Sequence, residues 1–416
     1  MERFGKPIKN QFILSDLLTY MNHGSYGVVA RPVHEAKLRK QMLHETSPDE
    51  WFRRCYRKDY IANVDEASRF LGAKPENAVL IQNATTGINA VLKSVKFTDK
   101  DAILVTSWTY NPVKNIVDWV SEHTGASIVY VDLRVPIKDK QEVIDKYRKV
   151  IREHSNIKLA IIDIIVSVPP VYMPFLELCT LCQENNILVI LDGAHSPGQI
   201  PVHLDQWTAE FYVGKYYVIG NAGNLHKWVY SSRGCALLYV KPDHQSYLDP
   251  PVISVHYKAD DIRLRFCYQG TDDKTVFCVV KDAIQFYEDL GGLEVIKCYN
   301  NTLITEAAAL LVDRWNTSEL DIPRDMVAPC MRMVKLPAMR QFVAVKEVHG
   351  DRQTLFGDMN ELTFTLMDRF KLVVLCLFFQ GELYVRISAN VYNNLDDYRR
   401  LAEAVLQLKA EGDTLE

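Results

Sequence analysis

Between residues 78 and 240 the chain alternates short apolar runs with longer segments of helical periodicity, and this alternation constrains the fold most. The apolar runs predict strands at residues 78–81, 102–106, 127–131, 159–166, 187–191 and 235–240. The periodic segments predict helices at residues 85–95, 112–123, 140–154 and 174–185. Strands that are apolar on both faces need cover on both faces, and helices on each side of a sheet provide it. We therefore predict an α/β fold around a mostly parallel sheet.

The pattern changes after Thr271, where long amphipathic helices precede a group of strands. We predict helices at residues 276–291 and 293–315, strands at 341–348, 372–379 and 383–388, and a last helix at 395–408. Strands grouped in this way are typical of a smaller α+β domain. The predicted organisation is an N-terminal arm (residues 1–24), a large α/β domain (25–274) and a small C-terminal domain (275–416).

Composition and charge exclude several classes of function. The 416 residues carry a formal net charge of −4, which gives no electrostatic footprint for nucleic acid or an anionic membrane. No apolar run approaches the ~20 residues that span a bilayer. Residues 1–10 are polar and do not resemble a signal peptide. We therefore expect a cytoplasmic protein with a small-molecule substrate, and no nucleic-acid or membrane partner.

The cysteines do not form a recognisable framework. There are nine, an odd number, and their spacing is irregular, which favours reduced thiols in the cytosol. Cys179 and Cys182 have the spacing of a metal or redox motif, but no second Cys or His pair matches it. Both lie in an apolar-periodic stretch, so we interpret them as core residues and predict no metal site.

Lys227 and Asp192 have the residue types that an aldehyde cofactor requires. A lysine forms a Schiff base when a pocket lowers its pKa, and pyridoxal phosphate (PLP) also needs a carboxylate beside its pyridinium nitrogen. Asp192 ends the apolar run at residues 187–191, and ligands of open α/β sheets lie beyond the carboxyl ends of strands. The two residues together favour a cofactor site over two ordinary surface charges.

Six motifs between residues 21 and 394 carry a resemblance to a known family. They are Asn22-His23-Gly24-Ser25-Tyr26-Gly27, Asn83-Ala84-Thr85-Thr86, Asp192-Gly193-Ala194-His195, Gly223-Asn224-Leu225-His226-Lys227-Trp228, Gly270-Thr271-Asp272-Asp273 and Val385-Arg386-Ile387-Ser388. With them the chain resembles the class V aminotransferase branch of the fold-type I PLP enzymes. The nearest group contains isopenicillin N epimerase, plant L-cysteine desulfhydrase and the sulfoxide lyase of ergothioneine synthesis. The resemblance implies a large domain with a seven-stranded sheet and a smaller C-terminal domain.

The resemblance also implies a set of cofactor residues, with PLP bound covalently to Lys227. It places Asp192 at the pyridinium nitrogen, His195 at the phenolic oxygen and the catalytic candidate Tyr110 on the ring face. Thr85, Thr86 and His226 would contact the phosphate, and Thr271 would reach it from the partner subunit of a homodimer. From the residues alone, Thr85 and Thr86 could equally be an ordinary helix N-cap, and Tyr110 a packing residue.

On the substrate side the resemblance assigns Arg386 to the α-carboxylate of an amino acid, which a guanidinium clamps through two parallel hydrogen bonds. Asn22 and His23 are the further substrate-binding candidates. Two features depart from the family pattern. Ile164 and Val166 stand where the plant desulfhydrase-like proteins have polar residues, and residues 215–223 contain an extra segment that we expect to form a bulged loop at the pocket mouth.

The reaction that this resemblance favours is α,β-elimination, as in a C–S lyase or cysteine desulfhydrase. Epimerisation, transamination and PLP binding without catalysis are the alternatives. Cysteine desulfurases of the class use a cysteine on a loop ahead of the carboxylate-binding arginine. Here Cys376 lies in an apolar, β-prone run, so we expect it to be buried and unreactive.

Overall fold

The computed structural model describes residues 3–209, 218–339 and 361–413, together with residue 342. Within these ranges the strands are β1 (Thr19–Tyr20), β2 (Ala78–Ile81), β3 (Ala102–Thr106), β4 (Ser127–Val131), β5 (Ile157–Asp163), β6 (Leu188–Asp192), β7 (Val218–Asn224), β8 (Ala236–Val240), β9 (Met331–Lys335), β10 (Leu372–Val373), β11 (Leu375–Phe379) and β12 (Glu382–Ser388). The helices there are α1 (His23–Tyr26), α2 (Arg31–Thr46), α3 (Pro48–Glu50), α4 (Tyr56–Phe70), α5 (Ala84–Ser94), α6 (Asn111–Thr124), α7 (Lys140–Glu153), α8 (Phe175–Glu184), α9 (Leu204–Ala209), α10 (Leu225–Trp228), α11 (Pro242–Gln245), α12 (Ile262–Cys267), α13 (Val280–Asp289), α14 (Gly292–Trp315), α15 (Glu361–Phe370) and α16 (Leu395–Asp413). The strand expected at residues 341–348 lies outside the described residues.

Seven of these strands form the central sheet, in the order β2-β8-β7-β6-β5-β3-β4. Strand β8 runs antiparallel to both of its neighbours, and the other adjacent pairs are parallel. Helices α5, α6, α7 and α8 each connect two parallel strands, as parallel pairing requires. The predicted α/β fold with a mostly parallel, seven-stranded sheet is confirmed.

The interior of this sheet is covered on both faces. In β5, Leu159 and Ile161 pack into one hydrophobic cluster, and Ala160 and Ile162 pack into another. All four are fully buried. Successive side chains of a strand point to opposite faces, so a strand covered on both sides favours apolar residues at successive positions.

A smaller C-terminal unit has its own hydrophobic core. Its antiparallel sheet has the order β11-β12-β9, and helices α14, α15 and α16 pack with it. Helix α14 contributes to two cores, because Ile296 packs into the large cluster while Leu303 and Leu311 pack into the C-terminal one. The predicted smaller α+β part is confirmed.

The N-terminal segment joins the two units. Strand β1 pairs in parallel with β10, which belongs to the C-terminal part. Phe4 and Phe12 are buried in the large core, where the ring of Phe12 lies 5.0 Å from that of Tyr392 and 5.2 Å from that of Tyr230. The segment therefore fixes the C-terminal unit against the large sheet.

The expectation of a bulged loop at residues 215–223 is wrong for its described part. Residues 218–224 form strand β7, an interior strand between β6 and β8, and residues 215–217 lie outside the described residues. The glycines that suggested a loop instead allow close packing. A Cβ on Gly220 would lie 2.7 Å from the carbonyl oxygen of Tyr239, and one on Gly223 would lie 2.8 Å from Cγ of Pro197. Glycine within a strand often marks a close approach of another segment, as it does here.

Two other strand predictions need correction at their ends. We expected one strand at residues 372–379, but the chain changes partners at Val374, so that β10 pairs with β1 and β11 pairs with β12. The apolar run at residues 159–166 ends as a strand at Asp163, and its last residues form a turn held by a bridge between Ile165 and Tyr172. The sequence is apolar at both breaks because the residues there still pack into a hydrophobic core.

Helix α14, with 24 residues, is the longest helix of the described chain. Charged side chains such as Lys297, Glu306 and Asp313 interrupt its apolar positions. No helix in the described ranges combines the length and the apolar character needed to cross a membrane.

Candidate active site

The candidate site lies at the carboxyl edge of the central sheet. Strands β5, β6 and β7 end there with Asp163, Asp192 and Asn224, and the one-turn helix α10 that follows β7 carries Lys227. Parallel strands bring their carboxyl ends to the same edge, so residues far apart in sequence meet. The fold thus brings together Asp192 and Lys227, as the sequence motifs predict.

Asp192 is buried at this edge beside a second carboxyl group. Its Oδ1 accepts a hydrogen bond from the Ala194 amide at 2.9 Å, and Asp163 is its partner in the register of β5 and β6. Burial raises the pKa of Asp192, while the Ala194 amide and the charge of Lys227 oppose the rise. Burial and then Asp192 raise the pKa of Asp163 well above its ordinary value. The two neighbouring carboxyl groups therefore disfavour ionisation of each other.

Lys227 has the environment of a reactive amine. Burial and then the charge of Arg386 lower its pKa from 10.5 to about 7, although Asp192 opposes both effects. Within the described residues no carboxylate lies at ion-pair distance from Nζ, whose hydrogen-bond partner is Nε2 of His195 at 2.9 Å. A large fraction of this lysine is therefore uncharged at neutral pH, which is the nucleophilic state.

His195 has a defined tautomer because of its two partners. Trp228 donates its indole N–H to Nδ1 at 3.4 Å, so Nδ1 carries a lone pair and Nε2 carries the proton. Nε2 then donates to Nζ of Lys227, which accepts only when it is neutral. Burial, followed by the charges of Lys227 and Arg386, lowers the pKa of His195 well below 6.5. The hydrogen bond from His195 to Lys227 therefore forms in this direction only when both side chains are neutral.

The start of helix α5 provides the candidate phosphate site. Asn83 is the N-cap and accepts hydrogen bonds from the Thr86 amide (2.9 Å) and hydroxyl (3.1 Å), so the threonines are not the cap. The Ala84 amide is bound by Asn224 of β7 at 2.9 Å, which attaches the helix start to the strand before Lys227. Thr85 and Thr86 occupy the first turn of the helix, where hydroxyl groups and the helix dipole favour an anion.

Two other phosphate candidates lie in different settings. Nδ1 of His226 donates to the carbonyl of Cys235 at 2.8 Å, and burial lowers the pKa of His226 to about 4. Thr271 is exposed and bonds to the Tyr268 hydroxyl at 2.5 Å. In the described part of the chain no hydrogen bond joins Thr271 to any other candidate residue.

Arg386 is a buried cation held by neutral groups, with only 1% of its surface exposed. Nη1 donates to the hydroxyl (2.8 Å) and carbonyl (3.1 Å) of Ser167, and Nη2 donates to Asn22 Oδ1 (2.9 Å) and Ser25 Oγ (2.6 Å). Its Nε has no hydrogen-bond partner among the described residues, and no carboxylate there pairs with it. Burial lowers its pKa to about 10, so the group stays charged at neutral pH.

A buried guanidinium without an acidic partner is costly, and an anionic ligand would remove that cost. Asn22 accepts a hydrogen bond from Arg386, and this contact is compatible with its predicted position on the substrate side of the site. The structure places His23 differently, because both of its ring nitrogens bond to protein atoms: Nδ1 to the Tyr392 hydroxyl at 2.8 Å and Nε2 to the main-chain carbonyl of Lys227.

Tyr110 lies at the same edge, directly after β3 and at the start of α6. Its side chain is 41% exposed, so it is not a core packing residue. Burial raises its pKa, and Tyr26 and Asp192 add to the rise, which places Tyr110 within the electrostatic range of the Asp192 carboxylate. Such a position suits a ring that stacks on a ligand beside Asp192.

Sequence reasoning missed some partners of these residues. Ser167 holds Arg386, Trp228 orients His195 and Tyr392 binds His23. Ser167 could have been suspected, since it follows the end of a strand at the ligand-binding edge; the other two contacts depend on the approach of distant segments. Ile164 and Val166 are buried in the large core. These apolar side chains, which stand where plant desulfhydrase-like proteins have polar residues, therefore contribute to packing.

We predict that His195 makes the free energy of unfolding of the cofactor-free protein depend on pH. The folded protein keeps His195 neutral, whereas the unfolded chain binds a proton below its ordinary pKa of 6.5. Falling pH therefore favours the unfolded state, and one such group contributes about 1.4 kcal/mol per pH unit below about pH 6.5. Urea unfolding between about pH 5 and about pH 7.5 measures this slope. His195→Gln should reduce it and the exposed His256→Gln should not; equal slopes in wild type and His195→Gln would refute the prediction.

The chain is similar to known proteins in sequence and in fold. The chain is 28% identical to L-cysteine desulfhydrase of Arabidopsis thaliana over 93% of this chain and 87% of that protein. It is 24% identical to hercynylcysteine sulfoxide lyase of Schizosaccharomyces pombe, over 97% of both chains. Among solved structures, a C-DES variant with glycine covalently linked to its PLP cofactor matches the fold with a TM-score of 0.73 at 17% identity, over 95% of this chain and 98% of that one.

The sequence profile of the aminotransferase class-V family matches residues 59–317, well over half of the chain. The matched range begins in α4 and ends just after α14, so it contains the whole seven-stranded sheet and the residues Asp192, His195 and Lys227. The chain therefore belongs to the aminotransferase class-V family.

Proposed function

We propose that this protein is a PLP-dependent C–S lyase that catalyses α,β-elimination on a sulfur-containing α-amino acid. The observation that carries the proposal is a pair of residues: burial and the charge of Arg386 lower the pKa of Lys227 to about 7, and Arg386 is buried without an acidic partner among the described residues. The first suits an amine that binds an aldehyde and moves a proton, and the second suits a carboxylate. The names of the relatives, L-cysteine desulfhydrase and hercynylcysteine sulfoxide lyase, support the choice of reaction.

The residues present fit the cofactor. Asp192 offers a carboxylate to a protonated ring nitrogen, and the Nε2–H of His195 can donate to the phenolic oxygen. The start of α5, with Thr85 and Thr86, would hold the phosphate, together with His226. Lys227 would bind the cofactor aldehyde through Nζ, and Tyr110 would cover the ring. When bound, the cofactor stores the electron pair that is released at the substrate Cα.

The chain's own groups account for binding and proton transfer. Arg386 would fix the substrate carboxylate, with Asn22 on the same side of the pocket. The amine of Lys227 would take the proton from Cα, since it is neutral in a large fraction of molecules at neutral pH. The Cβ–S bond then breaks and the sulfur leaves; water completes the conversion of the carbon skeleton to pyruvate and ammonia.

The cysteines favour direct elimination over transfer of sulfur to the protein. Cys376 is fully buried in β11, as the sequence predicts, and burial raises its pKa to about 12. Cys330 is also fully buried, and its pKa is likewise raised to about 12. A thiol with so little thiolate is a poor nucleophile toward sulfur. All nine cysteines are free, which supports a cytosolic location as part of the proposal.

The reaction is tested by product analysis with L-cysteine and larger sulfur-containing amino acids. We expect pyruvate, ammonia and the released sulfur compound in equal amounts. Lys227→Ala should lose this turnover and the borohydride-reducible cofactor adduct, whereas Cys376→Ala should keep both.

Alanine with a protein-bound persulfide that disappears in Cys376→Ala would refute elimination. A D-amino acid or a keto acid that retains sulfur would indicate epimerisation or transamination, and a holoprotein without turnover would indicate lost catalysis.

Arg386→Lys tests the carboxylate site. Lysine keeps the charge but cannot form the bidentate fork, so kcat/KM should fall about ten-fold or more, ~1.4 kcal/mol in transition-state binding. Cofactor absorbance should persist. The matched control is Arg332→Lys on the neighbouring strand β9, because Arg332 forms an ion pair with Glu319 at 3.5 Å. Equal kinetics in wild type and Arg386→Lys would exclude this role.

We also propose a homodimer in which Thr271 contacts the cofactor phosphate bound by the partner subunit, since among the described residues it forms no hydrogen bond with another candidate residue. An exposed apolar segment between α11 and α12 supports a subunit contact, with Val255 74% exposed and Val252, Ile253 and Tyr257 also exposed. Val255→Asp should weaken the dimer about ten-fold or more, ~1.4 kcal/mol, in sedimentation equilibrium. Val295→Asp, at an exposed valine of α14, is the control. A monomeric wild type with full cofactor occupancy would contradict the proposal.

A further inference from the structure

His23 connects the turn that carries Lys227 to the segment that follows Arg386. Its Nε2 bonds to the main-chain carbonyl of Lys227, and its Nδ1 bonds to the hydroxyl of Tyr392 at 2.8 Å. The ring is fully buried and packs on the indole of Trp228, with 4.8 Å between ring centroids. No nitrogen of this histidine is left for a ligand.

The two partners define the state of the ring. A carbonyl oxygen only accepts, so Nε2 must carry a proton and donate it to Lys227. A neutral ring then leaves a lone pair on Nδ1, which accepts the Tyr392 O–H. Burial lowers the pKa of His23 to about 3, although the bond to Lys227 opposes the change. His23 is therefore a neutral donor with a fixed direction.

The Lys227 carbonyl needs such a donor because helix α10 has only four residues. In a longer helix, the amide four residues on would bind that carbonyl, and residue 231 would supply it. Here the Ser231 amide bonds to the carbonyl of Leu225 instead, at 3.4 Å. A buried carbonyl without a hydrogen-bond partner costs about 1–3 kcal/mol. The hydrogen bond from His23 to the Lys227 carbonyl therefore stabilises the turn in its observed conformation.

Neighbours of His23 hold the other charged group of the site. Asn22 and Ser25 bond to Arg386, and a Cβ on Gly27 would overlap the carbonyl of His226. One short segment thus contacts the lysine turn at two points and the arginine at two others. Two consecutive residues have different tasks, because Asn22 bonds to the side chain of Arg386 while His23 bonds to the main chain of Lys227.

We propose that His23 is a positioning residue which fixes the Lys227 turn through the Lys227 carbonyl, and that it does not bind substrate. The proposal deepens the proposed function, since it assigns a task to a residue of the same site. It implies that losing the His23 donor loosens the turn and lets water reach Nζ. The substrate contacts of Arg386 stay in place, because Asn22 and Ser25 still hold the guanidinium.

The test measures the pKa of Lys227 in the cofactor-free protein, by trace acylation at a series of pH values with mass spectrometry. Groups that face this lysine are Asp192, His195, His226 and Arg386, and all stay unchanged in the variants. In wild type the midpoint should lie at about 7. His23→Leu should raise it by about one unit or more toward 10.5, because hydration favours the charged amine. His23→Gln, whose amide can donate to the same carbonyl, should restore most of the wild-type value.

Tyr392→Phe is the second variant, and it decides the question if His23→Leu does not fold. It removes the hydroxyl that orients Nδ1 and keeps the buried ring, so it should raise the midpoint in the same direction by a smaller amount. Asn22→Ala is the contrast, since it should leave the midpoint unchanged. Unshifted midpoints in His23→Leu, or in Tyr392→Phe when His23→Leu is unfolded, would overturn the proposal.

Kinetics of the loaded enzyme separate this proposal from substrate binding by His23. His23→Leu should lower kcat about ten-fold or more and change KM by less than about two-fold, whereas Asn22→Ala should mainly raise KM. A raised KM with unchanged kcat in His23→Leu would make His23 a substrate ligand and refute the positioning role. If the protein turns over no amino acid, the proposed function fails, while the acylation result still decides the role of His23.

Discussion

The charge of Arg386, buried without an acid among the described residues, is the constraint on which the rest of the site depends. Burial, followed by the charge of Arg386, lowers the pKa of Lys227 to about 7. Burial, followed by the charges of Lys227 and Arg386, keeps His195 neutral. Asp192 is the carboxylate that opposes this effect, and burial makes it reluctant to ionise. The site is thus positively biased, and an anionic ligand near the arginine would offset that bias.

The fold maintains this arrangement by joining two cores. Arg386 belongs to the C-terminal sheet and Lys227 to the edge of the central sheet, so their separation depends on how the two units pack. The segment from Thr19 to Gly27 spans them: β1 pairs with β10, Asn22 and Ser25 hold the arginine, and His23 holds the lysine turn. Hydrogen bonds from one short, rigid segment to both charged groups fix the geometry more closely than hydrophobic packing alone, which tolerates small displacements.

Much of the fold and some of the site follow from local pattern. The alternation of apolar runs and amphipathic helices predicts the parallel sheet, because strand and helix periods differ and each requires cover on its apolar face. It also places Asp192 at the carboxyl edge of that sheet, whereas Lys227 is assigned by its motif, since the strand before it is not predicted. The same reasoning wrongly predicted a loop from the glycines of β7. Gly220 allows close approach to Tyr239 and does not form a turn. Asn83 caps α5 through the amide of Thr86, a local contact that the sequence reasoning assigned to the threonines instead.

By itself the sequence determined the sheet, the covering helices and the residue types at the candidate site, because these depend on periodicity and on short-range order along the chain. Only the tertiary structure decided that Arg386 has no acidic partner in the described chain, that Trp228 and Lys227 set the tautomer of His195, and that His23 binds a main-chain carbonyl. Each of these contacts joins residues more than 30 positions apart. Their chemistry depends on distance, direction and loss of water, and these quantities exist only once the segments have packed.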